Sequence, residues 1–298
     1  MGEAIVITSG KGGVGKTTTT ANLGTALALQ GKKVCLVDTD IGLRNLDVVL
    51  GLENRIIYDL VDVVEGRCKP HQALVKDKRV DEKLFLLPAA QTTDKNAVTP
   101  EQMKSLIEDL KKDFDYVLID CTAGIEQGYR NAVAGADRAI VVTTPEISAV
   151  RDADRIIGLL EQEAIEPPKL IINRIRKHLM DSGDTLDITE VTAHLSIDLL
   201  GIIIDSEDVI SSSNKGEPIV MDPNNKASLG YRNIARRILG ESVPLMSLDA
   251  DRKGVFSFFK LKLNLLIRRK PHDNMSGYRP CVGNQKRRNS FRSQAYGC

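Results

Sequence analysis

The sequence lacks a long apolar run and lacks paired cysteines. No stretch of its 298 residues approaches the ~18 consecutive apolar residues that a membrane-spanning helix needs. The five cysteines are scattered, with no Cys-x-x-Cys pair. Because a strand-like run begins at Ala4 with no signal or transit segment before it, we expect a protein that stays in the compartment where it is made. We therefore expect reduced thiols rather than disulfides or a cysteine metal framework.

The composition is that of a globular protein, with one strong asymmetry of charge. Hydrophobic residues make up 42% and charged residues 27%, which excludes a wholly disordered chain, a collagen-like fibre and a coiled coil. Residues 251–298 hold 12 Lys and Arg against two acids, whereas residues 1–250 hold 29 against 38. The carboxyl-terminal part is therefore a separate electrostatic unit.

Short β-branched runs alternate with stretches of helical spacing. The predicted strands are Ile5–Thr8, Val34–Asp38, Leu84–Leu87, Tyr116–Asp120, Ala139–Thr143, Leu170–Asn173 and Ile202–Ile204. The clearest predicted helices are Thr17–Gln30, Pro100–Lys112, Val150–Glu163 and Lys226–Leu239. Strands that are apolar on both sides indicate a doubly wound α/β fold, with a mostly parallel sheet flanked by helices. We expect one domain over 1–248, a linker and amphipathic segment over 249–270, and a basic tail over 271–298.

A phosphate-binding loop follows the first predicted strand. The residues that fit the pattern GxxxxGK[ST] are Gly10, Lys11, Gly12, Gly13, Val14, Gly15, Lys16 and Thr17. The glycines allow backbone N–H groups to approach phosphate oxygens, and the amino terminus of the next helix favours negative charge. Lys16 is expected to reach the β- and γ-phosphates, and the Thr17 hydroxyl to bind Mg²⁺. The sequence therefore predicts a nucleoside triphosphate site.

The second lysine of the loop, Lys11, is unnecessary for an ordinary phosphate cradle. Lys11–Thr18 resembles the deviant Walker A motif of the MinD/ParA ATPases, in which the first lysine reaches the nucleotide of the partner subunit. Three further segments, Val37–Asp47, Leu87–Thr92 and Val150–Arg155, resemble the first switch, the LPA-x-Q-T segment and the partner-binding helix of the MinD branch. The resemblance covers roughly residues 3–260.

The resemblance implies the chemistry of the site. Asp38 and Asp120 would hold Mg²⁺ through water together with Thr17, and Asp40 would orient the attacking water. Lys16 in its own subunit and Lys11 in its partner would offset the charge on the γ-phosphate. Thr18 and the backbone of Gly124 would bind the nucleotide, and the side-chain amide of Asn173 would read adenine.

Two loops depart from the family pattern. The second switch corresponds to Asp120–Glu126, and Cys121-Thr122 stands where the family usually has Ser-Pro. Without the proline this loop gains a backbone N–H donor and loses a fixed φ angle. The resemblance therefore leaves the rate of ATP hydrolysis open. Ile204 stands in the place of a proline in a second base-contacting loop.

The carboxyl-terminal segment from Gly254 resembles the membrane-targeting amphipathic helix of the MinD branch. The residues expected to enter an anionic membrane surface are Val255, Phe256, Phe258, Phe259 and Leu263. Because Lys260–Leu265 also alternates with period two, an edge strand or a buried helix is the alternative.

The implied protein forms a homodimer when ATP is bound and positions the division septum. Its expected partners are a MinC-like division inhibitor and a MinE-like activator, with Arg151, Asp152 and Asp154 on the partner-binding helix. No specific nucleic acid is expected. The expected location is the cytoplasm and the inner face of the cell membrane, or a plastid stroma and inner envelope. The alternatives are a ParA-like DNA-partition ATPase, which the acidic balance of residues 1–250 disfavours, and a nucleotide-gated scaffold that hydrolyses little ATP.

Overall fold

The alternation of strand and helix patterns in the sequence is realised as a single sheet. The computed structural model describes residues 1–94, 97–163 and 165–248, and the predicted membrane segment lies outside them. The strands of the described residues are β1 (Glu3–Thr8), β2 (Val34–Asp38), β3 (Val75–Asp77), β4 (Leu84–Leu87), β5 (Tyr116–Asp120), β6 (Arg138–Thr143), β7 (Lys169–Ile175) and β8 (Leu199–Ile204). They lie in the order β3-β4-β2-β5-β1-β6-β7-β8.

Helices fill the connections between the strands. They are α1 (Lys16–Leu29), α2 (Leu46–Leu50), α3 (Leu60–Val64), α4 (Pro70–Ala73), α5 (Pro100–Leu110), α6 (Gln127–Ala134), α7 (Ile147–Leu160), α8 (Lys177–Asp181), α9 (Ile188–Leu195), α10 (Glu207–Asn214) and α11 (Lys226–Ile238). The predicted helix at Val150 begins one turn earlier, at Ile147, because Glu146 is still extended.

All neighbouring strands are parallel except β3, which pairs antiparallel with β4. β3 was not predicted because three residues, Val75–Asp77, are too few to show a period. The predicted fold class, a mostly parallel sheet with helices on both faces, is confirmed.

Each central strand contributes to two apolar layers. In β2, Val34 and Leu36 face a layer that includes the apolar side of α1 and α11. Cys35 and Val37 face the opposite layer, with residues of α5, α6, α7 and α9. Both layers are buried, which explains why the strands read as continuous apolar runs.

The order of the strands determines where a ligand can bind. β1 lies between β5 and β6, and the chain passes to one side of β1 first and to the other side later. Such a reversal opens a crevice beyond the carboxyl ends of the strands. The loop after β1 enters this crevice, as do the residues that end β2, β5 and β7.

Candidate nucleotide site

The loop after β1 turns directly into α1. Gly15 precedes the helix with φ of 96°, in the left-handed region that favours glycine. A Cβ atom at Gly15 would lie 2.4 Å from Nδ2 of Asn173. The side-chain amide of Asn173 donates to the carbonyl of Val14 at 2.8 Å. Close approach between loop and strand end therefore requires glycine here.

The buried lysine of the loop points into the site. Lys16 Nζ donates to Ser9 Oγ at 2.9 Å, and Ser9 Oγ in turn donates to the carbonyl of Lys11 at 2.8 Å. Burial lowers the pKa of Lys16, although the negative charges of Asp120 and Asp40 oppose the shift. A nearly dry ammonium group with one hydroxyl partner is suited to bind a phosphate oxygen.

Two carboxylates end adjacent strands side by side. Asp38 on β2 is the register partner of Asp120 on β5, and both are almost completely buried. Asp38 accepts from the backbone N–H groups of Asp40, Asn45 and Leu46 at 2.9, 3.3 and 3.2 Å. Burial raises the pKa of both carboxyl groups, and their mutual repulsion adds to the shift of Asp120. A cation bound between two buried carboxylates on adjacent strands would favour their charged forms.

The donors around the pair fit Mg²⁺. The hydroxyls of Thr17 and Thr20 hydrogen-bond to Asp120, Thr20 at 3.0 Å. Oxygen donors of this kind suit Mg²⁺, which binds one or two carboxylates and keeps several waters and substrate phosphates. Within residues 1–94, 97–163 and 165–248, no group of three or more His, Cys, Asp or Glu side chains is placed to hold a metal.

The two switch segments lie beside this pair. Asp40 is half-buried, and its charge acts on both Asp38 and Lys16. Gly124 has φ of 94° and faces open space. A Cβ atom at Gly12 would lie 3.8 Å from the side chain of Ala123, so the phosphate loop and the second switch are neighbours. Cys121 is buried, and burial raises the pKa of its thiol to about 12, so it is a neutral packing residue.

A cavity of about 720 Å³ opens beside the phosphate loop. Gly15, Thr18 and Asn173 form one wall, and Asp205, Ser206 and the start of α10 form another. The amide of Asn173 donates one hydrogen bond to the carbonyl of Val14 and accepts one from the N–H of Arg174. A side-chain amide can donate two hydrogen bonds and accept two, so one donor position and one acceptor position remain. This pair of functions complements the edge of adenine.

Lys11 lies apart from the other loop residues. Its side chain is exposed, and Nζ donates to Ser148 Oγ on α7 at 3.0 Å. On the same helix, Arg151 and Asp154 are exposed, whereas the Asp152 side chain is 34% exposed and lies 3.9 Å from Arg155. The two lysines of the loop therefore point to different places.

The sequence did not single out several side chains that shape this site. Ser9 was not expected, although it directly precedes the loop. Thr20 was not expected either, although its spacing of four from Lys16 places both on one face of α1. Asp205 and Ser206 were left aside because the family proline is missing, yet both line the cavity.

Comparisons with known proteins agree with this geometry. Residues 5–219 match the model of the CobQ/CobB/MinD/ParA nucleotide binding domain. The chain is 76% identical over 261 residues to the septum site-determining protein MinD of Bacillus subtilis, covering 87% of this chain and 97% of that one. The chain therefore belongs to the CobQ/CobB/MinD/ParA family of nucleotide-binding proteins, and within it to the group of septum site-determining ATPases.

Solved structures lead to the same group. The MinC:MinD cell division complex of Aquifex aeolicus is 49% identical with a TM-score of 0.77, over 82% of this chain and 99% of that one. The MinD of Pyrococcus horikoshii complexed with Mg-ADP is 31% identical with a TM-score of 0.72, over 80% and 96%. The predicted family and the predicted ATPase class are confirmed, and a ParA-type partition protein is disfavoured.

The buried carboxylate pair predicts a pH-dependent stability. Without metal, native Asp38 and Asp120 hold protons that the unfolded chain releases above its ordinary pKa of about 4, so the free energy of unfolding falls as the pH rises. Asp120→Asn keeps an acceptor for Thr20 but no charge. In EDTA at pH 8, its thermal midpoint should exceed that of the unchanged protein, by about 2–4 °C for each kcal/mol by which the free energy of unfolding increases.

Two controls use the same pair of proteins. At pH 5 the difference between their thermal midpoints should be smaller. In saturating Mg-ADP the midpoint of the unchanged protein should rise more than that of Asp120→Asn. Equal midpoints at pH 8 in EDTA would show that the two carboxylates are not in conflict.

Proposed function

We propose that the protein is an ATP-driven dimerisation switch that places the division septum from a membrane surface. ATP and Mg²⁺ occupy the site described above, and hydrolysis to ADP and phosphate returns the subunits to the monomeric state. The proposal rests on one observation, that the side chains of the two loop lysines lie in different surroundings. Lys16 is buried in its own site, whereas Lys11 is held on the surface by Ser148.

Each residue of the site has a role in this proposal. Lys16 and the backbone of the loop bind the β- and γ-phosphates, and Thr17, Asp38 and Asp120 hold the metal, whose charge neutralises the phosphates. Asp40 orients the attacking water. Lys11 leaves Ser148 and binds the phosphates of the second subunit, where it offsets charge as an arginine finger does. Thr18 and Asn173 fix the nucleoside.

Dimerisation links the site to the partner-binding helix. Because Lys11 is bonded to the first turn of α7, its departure changes the surroundings of Arg151, Asp152 and Asp154. We infer that a MinC-like inhibitor and a MinE-like activator bind this face only after ATP has joined two subunits. The solved MinC:MinD complex of a 49% identical relative supports the first of these partners.

The membrane contact falls on the segment outside the described residues. No described helix is long and apolar enough to cross a bilayer. In the proposal, Val255, Phe256, Phe258, Phe259 and Leu263 enter the interface of an anionic membrane. One amphipathic segment binds weakly, and two in a dimer bind with increased avidity.

The two lysines should separate nucleotide binding from dimerisation. Lys16→Ala should abolish ATP binding and with it dimerisation, because the buried phosphate contact is lost. Lys11→Ala should still bind ATP but remain monomeric. Nucleotide affinity by calorimetry and mass by light scattering, both in Mg-ATP, check these outcomes. Lys104→Ala, which changes an exposed lysine on α5, is the matched control. Normal dimers of Lys11→Ala would contradict the proposed role of Lys11.

Removal of residues 254–298 should separate the membrane contact from the ATPase. The truncated chain should bind ATP and dimerise as before but no longer sediment with anionic vesicles. The full chain with vesicles in Mg-ADP is the control and should stay largely unbound. Attachment that persists after truncation would place the anchor elsewhere.

A further inference from the structure

A clasp built around Arg79 lies outside the site described so far. Arg79 Nε and Nη2 donate to the buried carboxylate of Asp77 on β3, at 2.9 and 2.7 Å. Nη1 donates to the carbonyl of Gly216 at 2.7 Å, and Nη2 also donates to the carbonyl of Leu50. One guanidinium group therefore joins the short strand β3, the last residue of α2 and the turn after α10.

The backbones that Arg79 joins are in direct contact. Gly51, directly after α2, and Gly216, after α10, both have φ in the left-handed region, 63° and 69°. A Cβ atom at Gly216 would lie 2.4 Å from the Cα of Gly51, and one at Gly51 would lie 2.8 Å from the carbonyl oxygen of Gly216. No side chain fits between these two turns, and the guanidinium group bridges them through the carbonyls of Leu50 and Gly216.

The opposite end of α2 reaches the candidate metal site. The backbone N–H groups of Asn45 and Leu46, which begin α2, donate to Oδ2 of Asp38 at 3.3 and 3.2 Å. α2 has five residues, so its two ends lie about 6 Å apart at 1.5 Å per residue. The Arg79 contact at one end of α2 therefore lies about one helical turn from both N–H groups at the other end.

We propose that Arg79 is a positioning residue that fixes α2 against α10 and so holds the Asp38 carboxylate ready for the metal. The inference rests on the proposed role of Asp38. Asp38 accepts three backbone N–H groups, two of which come from the start of α2, so looser packing of α2 frees the carboxylate to turn. α10 also forms part of the cavity wall, through Val209 and Ile210, so the clasp joins the walls of the metal and base sites.

The test compares the affinity of the full chain for ADP with and without Mg²⁺. Arg79→Ala and Arg79→Lys should lower the affinity for Mg-ADP by about tenfold or more, the usual loss when a group that orients a metal ligand is removed. The affinity for ADP in EDTA should stay unchanged. Lysine keeps a cation beside Asp77, but a single ammonium group cannot reach the carboxylate and two carbonyls together. Calorimetry measures both affinities.

Arg237→Ala is the matched control. Its guanidinium donates to the carbonyls of Leu200, Val243 and Pro244 at 2.9, 3.0 and 2.8 Å, on the opposite edge of the sheet. This variant should lose stability without a change in either affinity. If Arg79→Ala fails to fold, Asp77→Asn retains the arginine with a weaker partner and should show a smaller loss for Mg-ADP alone.

Several outcomes would overturn the inference. Equal losses with and without Mg²⁺, wild-type affinities in Arg79→Lys, or the same pattern in Arg237→Ala would reduce the clasp to a purely structural contact. Asp38→Ala distinguishes failure of this inference from failure of the proposed function. If Asp38 holds the metal, this variant should bind ADP no more tightly with Mg²⁺ than without it. If Asp38→Ala removes the gain in affinity that Mg²⁺ gives and the Arg79 variants keep it, only the inference on Arg79 fails. A gain that persists in Asp38→Ala overturns both.

Discussion

The site depends on the parallel pairing of β2 with β5, which sets Asp38 opposite Asp120 in a buried place. Burial raises the pKa of both carboxyl groups, and repulsion from Asp38 raises that of Asp120 further, so the pair destabilises the metal-free fold. The chain compensates with local donors, which are backbone N–H groups for Asp38 and threonine hydroxyls for Asp120. In the proposed function, a divalent cation held by this pair would offset the remaining repulsion, which would link nucleotide binding to local stability.

The phosphate loop divides its two lysines between two tasks. Lys16 lies in the interior, where low polarity strengthens its contact with phosphate. Lys11 stays in solvent and is bonded to a hydroxyl on α7. A surface hydrogen bond of this kind is weak and easily exchanged, so in the proposed function a second nucleotide site could compete for Lys11 at little cost. The same contact joins the phosphate loop to α7.

Much of this site could be predicted from the sequence because its signals are local. The loop Gly10–Thr17 needs glycine and lysine at fixed spacings, and Asp38 and Asp120 directly follow apolar strand runs. Asn173 ends another such run. The chain gave no comparable signal for Arg79 or Ser148, because their partners lie far away in sequence and come together only through the fold. β3 and α2 escaped prediction because neither is long enough to display a period.

The departure from the family pattern in the second switch is accommodated by packing. Cys121 stands in the place of the family's serine in a buried position, where its small side chain packs into an apolar layer. Thr122 packs against Gly128, where a Cβ atom would lie 2.4 Å from the threonine hydroxyl. The second switch is therefore anchored at its start by packing, while Gly124 keeps its open position for a phosphate.

The most direct test of the account is complementation between two defective subunits. Lys11→Ala and Asp40→Ala are each expected to be inactive alone. If Lys11 acts on the partner's nucleotide, a mixed dimer regains one intact site, and an equal mixture should recover up to about a quarter of wild-type ATP hydrolysis. The mixed dimer keeps one of the two Lys11 contacts, and a tag on one subunit isolates it. Mixed dimers that are isolated in this way and stay as inactive as the separate variants would contradict the account, because Lys11 would then serve its own subunit.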